Sequence, residues 1–220
     1  MKRAQFSILI CNYAMLILLS GCAVQGLPFG KQLPVESGAI LFEDDFSDER
    51  SRWDTWEDEF STVDIQAGGL VFNIRESGND YLSLAGKKFS DVDARVSAAK
   101  LSGTNNNDFG MVCRYQDANN FYGFLISSDG YAGIIKVREG VRTMISGEMM
   151  QFSELVHQGE AGNQLRIICL GQSLALFVND TIVLLAEDSE FSQGEVGLIV
   201  GAIDDPGVEI FFDDFKVLQP

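Results

Sequence analysis

The spacing of short apolar runs constrains the fold of this chain more than any other feature. From Ala39 onward, runs rich in β-branched and aromatic residues recur roughly every 8 to 14 residues. Several of them alternate apolar and polar residues, as a strand with one buried face does. The candidate strands include AILFEDD, GLVFNIR, YLSLAG, DARVSAAKL, FGMVCRYQ, FYGFLIS, GYAGIIKVR, LRIICLG, SLALFVN, TIVLLAE, EVGLIVGA and VEIFFDDFKV.

Turn-forming segments such as SGND, SGTNNND, QDANN, SSDG and DDPG separate these runs. The segment SGEMMQFSELVHQ is a fair helix candidate, and a loop is an equally good interpretation. Many short strands in one chain of 220 residues predict an all-β fold, a two-sheet antiparallel jelly-roll sandwich.

The first and last strand candidates carry nearly the same sequence. LFEDDF spans residues 41–46, and FFDDFKV spans residues 211–217. In a two-sheet sandwich these strands often lie side by side, which places acidic side chains next to each other, where they repel. A calcium ion between these acids would remove this repulsion. The alternative is that these acids form the solvent-facing side of two edge strands.

The N-terminal residues predict export and a lipid anchor. Lys2 and Arg3 precede a short apolar stretch, as in a signal peptide covering residues 1–21. The sequence LSGC, Leu19 to Cys22, resembles the lipobox of bacterial lipoproteins. That resemblance implies cleavage before Cys22 and acylation of this residue, which would hold the protein on the cell membrane or outer membrane, outside the cytoplasm. The alternative is an N-terminal anchor helix that is never cleaved.

Residues 22–38 contain prolines and glycines and show no apolar periodicity, which is typical of a flexible tether before a single domain at residues 39–220. The formal net charge is −16 for the whole chain and becomes −18 once Lys2 and Arg3 are removed. This charge argues against nucleic acid as a partner and against electrostatic attachment to anionic lipid.

Two cysteines remain in the domain, Cys113 and Cys169, and each lies within a strand candidate. A pair of thiols in an exported chain predicts one disulfide between strands. The alternative is two separate buried thiols that pack as small apolar side chains.

Several segments together resemble the concanavalin A-like lectin/glucanase superfamily in its laminin-G-like form. They are LFEDDFSD followed by Trp53, CRYQDANNFY followed by GFLISSDGYAGIIKV, LRIICLGQSLALFVND, GEVGLIVGA and VEIFFDDFKV. The order of these segments over residues 39–218 also resembles the 3-keto-disaccharide hydrolase-like domains. The resemblance implies two packed antiparallel sheets. It also implies that Asp45 and Asp213 match the positions that hold a structural calcium ion in related glycoside hydrolases.

Catalytic carboxylates are not evident in the sequence. Retaining glycosidases need two carboxylates about 5 Å apart, and the related hydrolases place them on one strand. Glu57 and Glu59 lie in a predicted loop without a third acid, and Glu187 and Glu190 lie in a predicted turn. No organic cofactor is expected.

A sugar-binding face would use aromatic rings to stack on the sugar and polar side chains for its hydroxyls. The expected ligand contacts are Trp56, Arg114, Tyr122 and Tyr131. Arg114 follows Cys113 in an apolar strand and needs a partner, which is either a ligand or a core carboxylate. The sequence thus favours non-catalytic binding of a polysaccharide or glycoconjugate. The alternatives are a glycoside hydrolase-like enzyme and a protein-binding adhesion module.

Overall fold

The computed structural model describes residues 38–48 and 52–220, and these residues contain strands and no helix. The signal peptide, Cys22 and nearly all of the tether lie outside the described residues. The strands are β1 (Ile40–Asp44), β2 (Trp56–Glu57), β3 (Ser61–Gln66), β4 (Gly69–Ile74), β5 (Asp80–Phe89), β6 (Val92–Ser102), β7 (Asn107–Asp117), β8 (Asn120–Ile126), β9 (Tyr131–Arg138), β10 (Val141–Met144), β11 (Gln151–Phe152), β12 (Asn163–Leu170), β13 (Ser173–Val178), β14 (Thr181–Glu187), β15 (Gly194–Ala202) and β16 (Val208–Leu218).

The strands form two antiparallel sheets, which confirms the predicted all-β jelly-roll sandwich. The nine-stranded sheet has the order β14-β13-β12-β6-β16-β4-β3-β2, with β1 also paired to β16. The seven-stranded sheet has the order β10-β9-β8-β7-β15-β5, with β11 also paired to β9. The helix candidate SGEMMQFSELVHQ is instead a loop that contributes the two-residue strand β11. Across the described ranges, no helix is long and apolar enough to cross a membrane.

The two similar acidic stretches lie side by side, as predicted. Strand β1 pairs with β16 so that Glu43 lies opposite Lys216 and Asp44 opposite Phe215. The backbones continue this pairing beyond the strands, because the Gly38 amide donates to the Gln219 carbonyl at 2.7 Å. The two ends of the described domain therefore meet at one place.

The main core lies between the sheets, where alternate residues of each strand turn inward. Phe212 of the nine-stranded sheet contacts Phe109 of the other sheet, with ring centroids 6.3 Å apart. Trp53 is buried in this core. Its ring packs edge-on against Phe215 at 4.8 Å and against Phe46 at 5.4 Å.

The predicted disulfide joins Cys113 of β7 to Cys169 of β12. Because β7 and β12 belong to different sheets, the bond ties the two layers of the sandwich together through its core. Both cysteines are fully buried.

The outer face of the seven-stranded sheet is curled into a concave surface. Strands β10 and β5 are its two edges, and a flat sheet would hold them about 24 Å apart, at about 4.8 Å per strand. Instead, the side chain of Arg142 in β10 reaches Asp80 in β5 at 2.7 Å. This curvature explains why Val112, Leu125 and Ile199 are fully buried although they face away from the main core.

Candidate functional site

Two carboxylates converge on a single glycine at the rim of the concave face. Gly201 of β15 lies between Asp80 of β5 and Asp108 of β7 in the strand register. A Cβ atom on Gly201 would lie 2.6 Å from Asp80 Oδ1 and 2.4 Å from Asp108 Oδ1. Glycine is therefore the residue that leaves room for both carboxylates to turn toward each other.

Arg142 binds both carboxylates from the opposite edge of the sheet. Its Nη1 lies 2.7 Å from Asp80 Oδ2, and its Nη2 lies 2.6 Å from Asp108 Oδ2. Burial opposes the charge on this guanidinium, but the two neighbouring carboxylates raise the pKa of Arg142 above its ordinary value. The cluster Asp80–Asp108–Arg142 thus carries a net negative charge when all three groups are ionised.

Asp108 retains an unused acceptor that points into the cluster. The residue is 2% exposed, and within the described part of the chain its Oδ1 atom has no hydrogen-bond partner. A buried carboxylate oxygen without a donor is costly, and such a group in a protein requires an explanation. Protonated Asp80 can donate to Asp108, and when both carboxylates are ionised a ligand hydroxyl or another donor would supply the missing hydrogen bond.

The environment of Asp80 favours its protonated form. Burial, followed by the charge of Asp108, raises the pKa of Asp80 from 3.8 to about 6, although Arg142 acts in the opposite direction. A perturbed carboxyl group in a cleft is a frequent property of functional sites.

The raised pKa of Asp80 predicts a specific dependence of stability on pH. The folded state binds the proton of Asp80 more tightly than the unfolded state does, and this difference stabilises the folded protein. The stabilisation is fully present below pH 3.8 and is lost as the pH rises through 6. Relative to the unmodified protein, Asp80→Asn should raise the free energy of unfolding at pH 7 by up to about 3 kcal/mol and have little effect near pH 4. Urea unfolding at both pH values measures this difference.

Asp205→Asn is the matched control, because it removes one negative charge from an exposed loop. An equal stability gain in both variants would show that overall charge, and not the environment of Asp80, causes the effect.

A pocket of about 500 Å³ opens beside this cluster. Apolar side chains form part of its lining, and the cluster Asp80–Asp108–Arg142 contributes the charged groups. Asn119 adds an amide group from the β7–β8 turn. The remaining lining residues are Gly78, Asn79, Leu82, Ala118, Phe121, Val137, Gly140, Gly201, Ala202 and Ile203. A concave, partly apolar site with a few convergent polar groups is the usual form of a small-ligand site.

Arg114, one of the predicted ligand contacts, is a structural residue instead. It is buried, and its guanidinium donates to the carbonyls of Ser90 and Phe191 and to Asp91 Oδ1. The prediction of a ligand contact is wrong because these three acceptors hold Arg114 below the surface. A carboxylate does partner Arg114, but it is that of Asp91, which is 41% exposed and does not belong to the core.

Tyr122 is also not available to a ligand. It is fully buried, and its hydroxyl donates to Asp188 Oδ1 at 2.6 Å and accepts from the Phe191 amide at 3.1 Å. Burial and the hydrogen bond to Asp188 raise the pKa of Tyr122. The prediction that Tyr122 contacts a ligand is therefore wrong, and the residue fixes the loop after β14.

Trp56 and Tyr131 lie in different sheets and do not meet. The Trp56 indole donates to Ser61 Oγ at 2.8 Å and packs edge-on against Phe72, with ring centroids 6.4 Å apart. Trp56 is thus a packing residue of the nine-stranded sheet. Tyr131 starts β9 in the seven-stranded sheet and is 40% exposed.

The acids predicted to bind calcium accept hydrogen bonds from neighbouring residues of the chain. Asp45 Oδ1 accepts hydrogen bonds from the amide and hydroxyl of Ser47, and these bonds lower its pKa. Asp213 Oδ1 accepts from the Asp214 amide. Among the described residues, no group of three or more His, Cys, Asp or Glu side chains could hold a metal ion. This donor set does not fit the six to eight oxygens that calcium takes, so a calcium ion at Asp45 and Asp213 stays a prediction without geometric support.

Asp80, Asp108 and Arg142 were not predicted from the sequence. One signal was present, since the tripeptides Asn79-Asp80-Tyr81 and Asn107-Asp108-Phe109 both place Asp between an Asn and an aromatic residue at the start of a strand. The two strand starts come together only because β15 lies between β5 and β7. No local sequence pattern reveals this order of strands.

Comparisons with known proteins identify the fold. No protein-family model matches the chain, and no curated protein matches it. A carbohydrate-binding module, CBM66 from Bacillus subtilis, superposes with a TM-score of 0.62 and 20% identity, covering 76% of this chain and 95% of the module. A Bacillus subtilis protein of unknown function with a galectin-like fold gives a TM-score of 0.63 and 11% identity over 84% of this chain and 97% of that protein.

Glycosidases share the same architecture. An endo-β-galactosidase from Clostridium perfringens that releases GlcNAcα1-4Gal gives a TM-score of 0.58 and 12% identity, covering 86% of this chain and 65% of the enzyme. The fold is therefore a two-sheet jelly roll like that of these proteins, which agrees with the fold that the sequence resemblance implied. It is an architecture that carbohydrate-binding modules and glycosidase domains share.

Proposed function

We propose that this domain binds a neutral carbohydrate in the pocket beside Asp80, Asp108 and Arg142. The observation that carries the proposal is the buried Asp108 Oδ1, an acceptor without a donor at the edge of a partly apolar pocket. A sugar hydroxyl both donates and accepts hydrogen bonds. It can therefore satisfy the carboxylate oxygen of Asp108 while accepting from Arg142 or Asn119.

The apolar part of the pocket suits the C–H groups of a sugar. Phe121, Val137 and Leu82 line it, and they can contact the C–H surfaces of a pyranose or furanose ring. The fold supports the same proposal, because a carbohydrate-binding module and glycosidases share it.

Charge favours a neutral glycan over an acidic one. The chain has a formal net charge of −16, and the pocket contains two carboxylates and one guanidinium. This field repels polyanions such as polyuronates and sulfated glycans. We therefore expect neutral polymers to bind and acidic polymers to bind weakly at low salt.

The N-terminal sequence supports a surface location for this binding domain. Acylation of Cys22 after removal of residues 1–21 would attach the chain to a membrane, with residues 22–38 as a tether. The location is outside the cytoplasm in this proposal, and the bound glycan is a polysaccharide or a surface glycoconjugate. Labelling with radioactive palmitate, compared between the unmodified protein and Cys22→Ala, tests the anchor.

Affinity electrophoresis tests the binding. The domain, residues 36–220, would be run in gels containing xylan, laminarin, levan or galactan, with polygalacturonate as the acidic polymer. Asp108→Asn should weaken binding to the retarding polymer about 10- to 100-fold, because a hydrogen bond to a charged acceptor contributes about 1.5–3 kcal/mol. Asp205→Asn should bind normally. Retardation by none of the neutral polymers would contradict the proposed function.

Glycoside hydrolysis is the second candidate function. Two observations favour it: the carboxylate oxygens of Asp80 and Asp108 approach a common point within 2.6 Å, and the pKa of Asp80 is raised to about 6. A retaining glycosidase pairs a carboxylic acid with a nearby carboxylate. Binding is the better supported function because Arg142 occupies one oxygen of each carboxylate. Reducing ends released by the unmodified protein, but not by Asp108→Asn, would establish hydrolysis.

A further inference from the structure

The geometry points to a second contact site for the same ligand, an aromatic patch formed by Tyr131 and Phe152. With this patch the protein binds extended glycan chains. This inference rests on the proposed function of the pocket and goes further, because it assigns a minimum length to the ligand. The patch lies on the same concave face as the pocket, and each step of that assignment follows from the strand register.

Tyr131 shares the face of the pocket. Ala132, the next residue along β9, is buried in the main core between the sheets. Successive residues of a strand point to opposite faces, so Tyr131 belongs to the outer face together with Gly133. Strand β11 pairs with β9 so that Phe152 lies opposite Tyr131, and their ring centroids are 5.7 Å apart.

The separation of the two sites also follows from the register. Phe109 pairs with Ile126, and Ile126 pairs with Ala132. Asp108 and Tyr131 precede Phe109 and Ala132, so their backbones lie two strands apart, or at most about 10 Å in this curled sheet. Along β9, Tyr131 lies six residues from Val137 at the other end of the pocket, or about 20 Å.

Apolar side chains line the path between the two sites. Met144 follows Arg142 on the same face of β10, and its sulfur would lie 2.9 Å from a Cβ atom on Gly133. Met150 Cγ would lie 3.1 Å from the same Cβ atom on Gly133. Gly133 is next to Tyr131 on this face, so the surface runs from Arg142 over the two methionines to the aromatic pair.

The aromatic patch has the chemistry of a sugar platform. Tyr131 is 40% exposed and Phe152 is 54% exposed, which is unusual for two adjoining large rings. The Gln158 amide nitrogen and the edge of the Phe152 ring would both lie within 3 Å of a Cβ atom on Gly130. An amide group that can bond hydroxyls therefore stands beside a ring that can stack on the apolar face of a sugar.

A glycan chain is the occupant that fits both sites. The pocket fixes one sugar unit through charged hydrogen bonds, and the patch stacks against a later unit without requiring a particular hydroxyl pattern. Joining the two contacts in one ligand adds their contributions without a second association cost. Because Tyr131 lies about 20 Å from Val137 along β9, a monosaccharide that lies between Asp108 and Val137 in the pocket does not also cover the aromatic pair, and it should bind the pocket alone.

The test compares ligand lengths in two variants. Calorimetric titration would use mono- to hexasaccharides of the polymer that retards the protein, beginning with the xylose series. The double variant Tyr131→Ala/Phe152→Ala should weaken hexasaccharide binding about tenfold or more and leave binding of the shortest detectable ligand unchanged. Asp108→Asn should weaken binding at every length.

The control is Phe60→Ala, which removes another exposed ring, one that lies beside the nine-stranded sheet. It should bind all lengths normally, and equal melting temperatures would show that each variant is folded. An equal affinity of the unmodified protein and the double variant for the hexasaccharide would overturn this inference and leave the pocket intact. Equal weakening at all lengths would also overturn it, as would self-association in sedimentation that the double variant abolishes without losing glycan affinity. Absence of any binding would overturn both proposals.

Discussion

Arg142→Met is expected to lower the free energy of unfolding at pH 7 by about 3 kcal/mol. The guanidinium is the cation that Asp80 and Asp108 share at 2.7 and 2.6 Å, and Asp108 is buried. Removing one partner of a buried ion pair leaves an uncompensated charge, which costs about 3–5 kcal/mol, and the partial exposure of Arg142 reduces this value. Methionine keeps the apolar part of the side chain, so the loss reports mainly on charge.

The loss of stability in Arg142→Met should shrink as the pH falls from 7 toward 4. The reason is that protonation of Asp80, whose pKa is raised to about 6, removes one of the two negative charges that Arg142 balances. Arg138→Met is the matched control. Arg138 pairs with Glu190 at 3.2 Å on the surface, and such pairs contribute about 0–1 kcal/mol. A loss of similar size in both variants, or a loss that does not change with pH, would contradict the role assigned to Arg142. Adding Asp80→Asn to Arg142→Met should restore part of the stability, as in a double-mutant cycle.

The double variant Cys113→Ala/Cys169→Ala is expected to melt roughly 8–16 °C below the unmodified protein. The disulfide closes a loop of 56 residues, for which the chain-entropy model gives about 4 kcal/mol. In a domain of this size, 1 kcal/mol corresponds to about 2–4 °C in melting temperature. Differential scanning calorimetry measures the change.

A reducing agent provides the control for the disulfide. It should lower the melting temperature of the unmodified protein toward that of the double variant and leave the double variant unchanged. Equal melting temperatures for the oxidised protein and the double variant would show that packing of the two sheets suffices without the bond.

The fold was predictable because its signals are local. Alternating strands, turn segments and the pairing of the first strand with the last follow from patterns that each span a few residues. Cys113 and Cys169 were the two thiols left in the domain, which made their pairing predictable. The loop around β11 was predicted less clearly, since Met149, Met150 and Phe152 give it the apolar spacing of a short helix.

The candidate site was less predictable because its parts come from distant segments. Asp80 and Asp108 are ordinary turn-side acids in the sequence, and they become a pair only because β15 lies between β5 and β7. Arg142 reaches them only because the sheet curls. Conversely, Arg114 looked functional because a charged residue in an apolar strand needs a partner. Its partners are the carbonyls of Ser90 and Phe191 and the carboxylate of Asp91, which come from two distant loops.

The pairing of β1 with β16 determines how the domain responds to mechanical tension. A pull on the chain at Gly38 loads the bond to Gln219 first and then the pairs from Ile40 to Asp44 in turn. Such a load opens a ladder one bond at a time, which takes less force than shearing all its bonds together. The first packed ring along this path is Phe42, which lies 6.1 Å from the Phe215 ring, and the next is the buried Phe46, which packs against Trp53. Residues of β1 can therefore detach from β16 while the seven-stranded sheet stays intact.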